Sequence, residues 1–190
     1  MRMSAQRGDT LIEVLLTIAL LAIASVTLHA VMNRGMADMQ TALERTNVRA
    51  GMNGQINMLR AMRDDYMAQN ADPGPGTMGE LWANVITPES SGGRLNVGPT
   101  PTFDETTCNR SGVAFYVTPD TLTGLTLNTF NNTLSTTYAK PGEGMWVEAY
   151  QRGVATPRAV DLLVRGCWQT IGTATLMQET TTVRLYDGQP

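Results

Sequence analysis

The chain has 190 residues, with 14 Lys and Arg against 17 Asp and Glu and a single His, for a formal net charge of -3. That balance argues against a nucleic-acid binder, which gathers a basic excess on one face, and the 16% of charged residues falls below the roughly 25% of an ordinary soluble domain. One His and two Cys leave few ligands for a zinc site, and the His sits inside an apolar run, away from any hydrolytic scheme that needs an imidazole base. No catalytic residue, metal ligand or cofactor is therefore expected.

The first eight residues, Met1–Gly8, carry Arg2 and Arg7. From Val14 to Val31 there is no Asp, Glu, Lys or Arg, and the polar side chains are Thr17, Ser25, Thr27 and His29. A Thr or Ser hydroxyl can bond back to its own helix. With Leu11 and Ile12 the segment reaches about 21 residues, roughly 30 Å at 1.5 Å per residue, enough to cross a bilayer. The leading arginines keep that end in the cytoplasm and place the rest outside. The competing readings are a buried core helix and a cleaved secretory signal. Against the second, no small-x-small cleavage site followed by a turn appears after the run, and the helical pattern continues straight through it.

Glu13 interrupts this simple anchor. It lies between Ile12 and Val14 at the edge of the hydrocarbon, where a bare charge is costly. Either it closes a T-x-x-E capping box with Thr10, or it meets a cationic partner.

The helical pattern extends through 32–71, the soluble half of one helix running from about Thr10 to Gln69. Met32, Met36, Met39, Leu43, Thr46 and Ala50 recur at spacings of three and four, and the series resumes two residues out of step at Met52, Ile56, Leu59, Met62 and Tyr66. Together they read as one methionine-lined apolar stripe, with Arg34, Asp38, Glu44, Arg45, Arg49, Arg60 and Arg63 mostly on the other face. A bend is expected near Gly51 and Gly54. Asp72-Pro73-Gly74-Pro75-Gly76 stops the helix. A helix of about 90 Å cannot bury its whole length on one small domain, so its membrane half needs lipid or copies of itself.

Residues 77–190 form the globular part. Glu80–Ile86 reads as a short helix; Val113–Val117, Met145–Gln151, Ala159–Trp168 and Thr180–Tyr186 read as strands, with a hairpin across Arg152–Arg158. Leu122–Tyr138, rich in Thr and Asn, reads as an exposed excursion. The fold expected is α+β: a long N-terminal helix packed on a C-terminal antiparallel sheet whose apolar face it covers. Cys108 and Cys167 both fall on the extracytoplasmic side, where an even count favours a disulfide over two buried free thiols. Asn109-Arg110-Ser111 and Asn131-Asn132-Thr133 match the glycosylation triplet, a pattern common by chance.

The stretch Arg7-Gly8-Asp9-Thr10-Leu11-Ile12-Glu13-Val14-Leu15-Leu16 resembles the N-terminus of a type IV prepilin. In that family a short basic leader ends in Gly, followed by a residue that is most often Phe, then Thr-Leu-Ile-Glu and a long apolar run. The resemblance covers the leader and the apolar run; the remainder matches in architecture alone. It implies cleavage after Gly8 by a prepilin peptidase, which also methylates the new amino group of Asp9. It implies that residues 9–31 serve as membrane anchor and then as filament core, with Glu13 pairing the N-terminal ammonium of a neighbouring subunit. The implied partners are copies of itself or other pilins in a helical filament, the peptidase, and an inner-membrane assembly platform. Such extracellular filaments support adhesion, twitching motility or DNA uptake, so a host surface or DNA would be the outer partner. Two departures, Asp9 in place of an aromatic and the lack of Gly or Pro between Thr10 and Val31, incline the reading toward a minor pilin or a pseudopilin of a type II secretion system. The alternative from another class is a single-pass membrane-anchored binding domain that never polymerises.

Overall fold

The computed structural model describes residues 9–69, 72–98, 108, 112–121, 124–130, 138–152, 159–170 and 175–186. Helix α1 (Asp9–Ala68) is followed by α2 (Met78–Ile86), a 3-10 turn at Glu89–Ser91, and strands β1 (Leu95–Asn96), β2 (Phe115–Asp120), β3 (Gly124–Thr129), β4 (Lys140–Pro141), β5 (Gly144–Arg152), β6 (Ala159–Gln169) and β7 (Leu176–Tyr186). This is the α+β class expected from the sequence. The chain divides into two compact units, Met1–Leu43 and Glu44–Pro190, and the division falls inside α1.

In the first unit, the large apolar side chains from Leu11 to Leu43 along α1 are exposed. The helix is long and apolar enough to cross a membrane, and none of its apolar window is buried. Thr17 donates to the Val14 carbonyl at 2.8 Å, Thr27 to Ala24 at 2.9 Å, and His29 Nδ1 to Ser25 at 2.8 Å, so these donors are satisfied within the helix itself.

In the second unit, α1 buries Val48, Met52, Ile56, Leu59 and Met62 against the sheet and α2. The expected single stripe is thus corrected: Met52, Ile56, Leu59 and Met62 are buried and Tyr66 is half-buried, whereas Met32, Met36, Met39, Leu43, Thr46 and Ala50 are exposed. Two residues out of step is about 200° round a helix, so one sheet cannot receive both series. The buried face runs back through Val48 to Glu44, which the sequence had assigned to the solvent side; its carboxylate accepts from Trp168 Nε1 at 3.1 Å. The helix continues unbroken through Gly51 and Gly54. Gly51 lets β5 approach: a Cβ there would stand 2.8 Å from Met145 Cε.

The Pro/Gly stop acts as expected, and side chains tie it down. Asp65 Oδ2 accepts from Gly79 N at 2.7 Å and from Gln69 Nε2 at 2.9 Å. Thr77 caps α2, accepting from Glu80 N at 3.2 Å.

The sheet order is β3-β2-β5-β6-β7. The β5–β6 pairing runs antiparallel from Met145↔Gly166 to Arg152↔Ala159, as the hairpin reading required, and β6–β7 from Ala159↔Tyr186 to Gln169↔Leu176. The other edge of β5 is shared by three strands in turn: β4 at Gly144 and Met145, β2 at Val147, and β1, in parallel, at Ala149 and Tyr150. Because β2 pairs with β5 only at Phe115↔Val147, Val117 needs another partner on that side. Gln55 of α1, fully buried, supplies it: Nε2 donates to the Val117 carbonyl and Oε1 accepts from the Val117 amide, both at 2.8 Å.

The exposed excursion over Leu122–Tyr138 is also corrected in part. Gly124–Thr129 pairs with β2 along its whole length, and Leu125 is buried, so isolated apolar residues among threonines mark an edge strand here.

Candidate functional site

Two regions carry the sequence-derived candidates, one in each unit, and a third cluster lies in the second unit. In the first unit, Asp9 opens α1 and Gly8 lies outside the described residues. Thr10 is already helical, so the Thr10–Glu13 spacing falls inside the helix rather than at its cap. Glu13 is exposed, with exposed Ile12 and Val14 on either side, and among the described residues no hydrogen bond or ion pair engages it. A carboxylate in that position is stable in water or at a headgroup; inside hydrocarbon or a helix bundle it requires a cation.

In the second unit, Cys108 and Cys167 are joined, with Cα atoms 6.2 Å apart. The disulfide belongs to a cluster on the sheet face away from α1, with Ala114, Phe130 and Trp146. Phe130 and Trp146 stack with ring centroids 4.9 Å apart. Both glycosylation triplets lie outside the described residues.

The third region was missed in the sequence. Along β5, Met145, Val147 and Ala149 face the main core, so Trp146, Glu148 and Tyr150 alternate onto the opposite face, and all of them are buried. Glu148 Oε1 accepts from Trp146 Nε1 at 2.8 Å, and Oε2 accepts from the Tyr150 hydroxyl at 2.8 Å. Arg165 Nε of β6 stands 3.5 Å from the same Oε2, with both side chains almost wholly buried. Farther along, Asp161 receives Arg184 in a two-pronged contact of 2.7 and 3.2 Å. The hydrogen bond to Asp161, and then its charge, raise the Arg184 guanidinium above its ordinary range. These are paired, donor-filled groups that set the register of three strands. The signal was present in the alternation Trp-x-Glu-x-Tyr, which marks a strand buried on both faces.

Among the described residues no group of three or more His, Cys, Asp and Glu is placed to hold a metal ion. Compared with protein-family models, with curated proteins and with solved structures, the chain has no match.

Proposed function

We propose that this chain is a type IV pilin-like subunit. It is made as an inner-membrane precursor with its N-terminus inside, trimmed after Gly8 and methylated at Asp9 by a prepilin peptidase. An inner-membrane platform then polymerises it through α1 into an extracellular filament, with the disulfide-bearing domain as the coat that serves adhesion, motility or DNA uptake.

The observation that carries this reading is the leading part of α1, apolar and uncovered, joined to a unit that closes its own core. Apolar surface on that scale is stable in lipid or against other helices, and not in water. Glu13 adds direction: moved from the membrane edge into a helix bundle, its carboxylate fits opposite the ammonium of a neighbour's Asp9. The mechanism is packing, with no chemistry assigned to the chain itself.

Intact mass and N-terminal sequencing of native protein test the reading. The mature chain should begin at Asp9 and carry about 14 Da from one added methyl group. Assembled material that still begins at Met1 sinks the assignment. One or both of Glu13→Ala and Gly8→Ala should remove the subunit from filaments, whereas a monotopic anchored domain would tolerate both.

A further inference from the structure

We propose that the outer edge of β7, with a row of arginines from α1 beside it, docks an extended acidic peptide of another protein as a further strand of the sheet. The proposal goes beyond the filament reading and does not depend on it.

In the order β3-β2-β5-β6-β7 the last strand has β6 on one side, and among the described residues no strand pairs with its other side. β7 is 11 residues long and keeps one unbroken antiparallel register with β6 from Tyr186 to Leu176. It contains no Pro and no bulge, so two of the usual devices that blunt an edge are missing. Alternate residues of such an edge present N–H and C=O groups at strand spacing, a row that another extended backbone matches group for group.

Helix α1 supplies the charge. Arg49 Nη2 reaches Glu179 at 2.8 Å, and Arg63 Nε donates to the Tyr186 carbonyl at 3.0 Å. From 49 to 63 is about 21 Å of helix, and from 179 to 186 about 23 Å of strand, so the two elements run side by side in the same direction. At about 100° per residue, Gln55, which bonds to β2, lies about 120° from Arg49, on the opposite flank of the buried face. Arg60 and Arg45 fall within about 40° of Arg49, on the β7 flank. Both are exposed, and among the described residues neither makes an ion pair or a hydrogen bond. The carboxylates of this flank, Glu179 and Asp64, are already engaged by Arg49 and Arg63. The uncompensated charge is therefore positive, and it lies beside the open edge.

A strand added to β7 turns every second side chain toward α1, where carboxylates would meet Arg45 and Arg60. A second copy of this chain is the poorer occupant. Antiparallel pairing of two β7 edges about a twofold axis puts both helices on one face of the joined sheet, so the two arginine rows would confront each other. On that face β7 offers a single carboxylate, Glu179, which Arg49 already holds.

The test uses full-length protein in a non-ionic detergent and a fluorescent peptide of about ten residues alternating Glu and Val, read by anisotropy. This peptide should bind, its Lys–Val counterpart should bind about tenfold or more weakly, and added salt should weaken the acidic one. The R45E/R60E protein should reverse that preference. Of two Glu–Val peptides N-methylated on one or the other set of alternate amides, at least one should lose about tenfold or more in affinity, and hydrogen exchange along β7 should slow when the parent peptide binds. No binding of the acidic peptide, equal binding of the Lys–Val peptide, or full binding by both methylated peptides overturns the proposal. A single-stranded oligothymidylate that displaces the peptide without slowing exchange along β7 marks a general polyanion patch and overturns it too. Slow β7 exchange that grows with protein concentration before any peptide is added overturns it in favour of pairing between copies.

Discussion

Helix α1 places the same residue type in two opposite settings. Met36 is 63% exposed, whereas Met62, in the same helix, is fully buried. Composition and helix propensity do not distinguish these positions; helical phase does. Val48, Met52, Ile56, Leu59 and Met62 share one phase, and a sheet is present to receive it. Close approach is built in on both sides, since a Cβ on Gly51 would meet Met145, and one on Gly166 would stand 2.9 Å from Val48 Cγ1. The second unit therefore closes its core intramolecularly, while the first leaves its apolar surface for lipid or another chain. The two regions should respond to perturbation in opposite ways.

The largest separation should come from the disulfide. Replacing Cys108 and Cys167 with Ser opens a loop whose closure is worth about 4 kcal/mol by the chain-entropy account, a large share of the stability of a domain this size. The melting midpoint of the second unit should fall by several degrees or more, while the helicity of the first unit in vesicles stays unchanged. Thiol labelling of non-reduced native protein should modify neither cysteine; two alkylated cysteines would refute the bridge.

Methionine truncation tests the comparison residue for residue. Met62→Ala should destabilise the second unit by about 3 kcal/mol through lost burial and a cavity. Met36→Ala should change unfolding of the same unit by less than about 0.5 kcal/mol. Equal effects would mean that Met36 has an intramolecular partner.

Much of this architecture was legible because it rests on local signals. The Pro73–Gly76 stop, the chargeless run to Val31, the β5–β6 hairpin and the cysteine pair each announce themselves within a short window or by compartment. What was not legible depends on pairing across distance. Two apolar series on one helix look alike until a sheet selects one. The Glu148–Arg165 contact exists because the β5–β6 register sets Trp146 opposite Arg165 and Glu148 opposite Leu163, which brings Glu148 and Arg165 together diagonally. The edge strand β3 likewise takes its identity from β2, its partner along all six positions.

Glycine substitutions probe the closeness of the helix–sheet contact at smaller scale. Gly166→Ala should cost about 2 kcal/mol, because the added methyl meets Val48 Cγ1 at 2.9 Å and Ala139 Cβ at 3.3 Å in a filled core. Gly54→Ala, with nothing within 4 Å of the new methyl, should stabilise the second unit by up to about 1 kcal/mol through helix propensity. Chemical denaturation of the two variants reads both signs in one experiment. A gain at Gly166 would mean that β6 can retreat from α1, and that the core is looser than these distances imply.

The smallest effect expected is at the rim of the second unit, where Arg49 of α1 meets Glu179 of β7. The ion pair is short, at 2.8 Å, but the Arg49 side chain is 63% exposed, so water and salt screen it. A pair of that kind contributes about 0.2–1 kcal/mol in a double-mutant cycle, and less as ionic strength rises. The contact between Asp161 and Arg184, elsewhere on β6 and β7, makes the useful contrast, because its carboxylate is only 7% exposed and receives two donors of the guanidinium. Glu179→Gln should shift the denaturation midpoint slightly and lose that shift in high salt. Asp161→Asn should cost more, since it removes the charge from a buried acceptor facing a retained cation, and the loss should persist in salt. Were both variants equally salt-sensitive, the Asp161 pair would be solvated like the rim, and the sheet face away from α1 would be open to water.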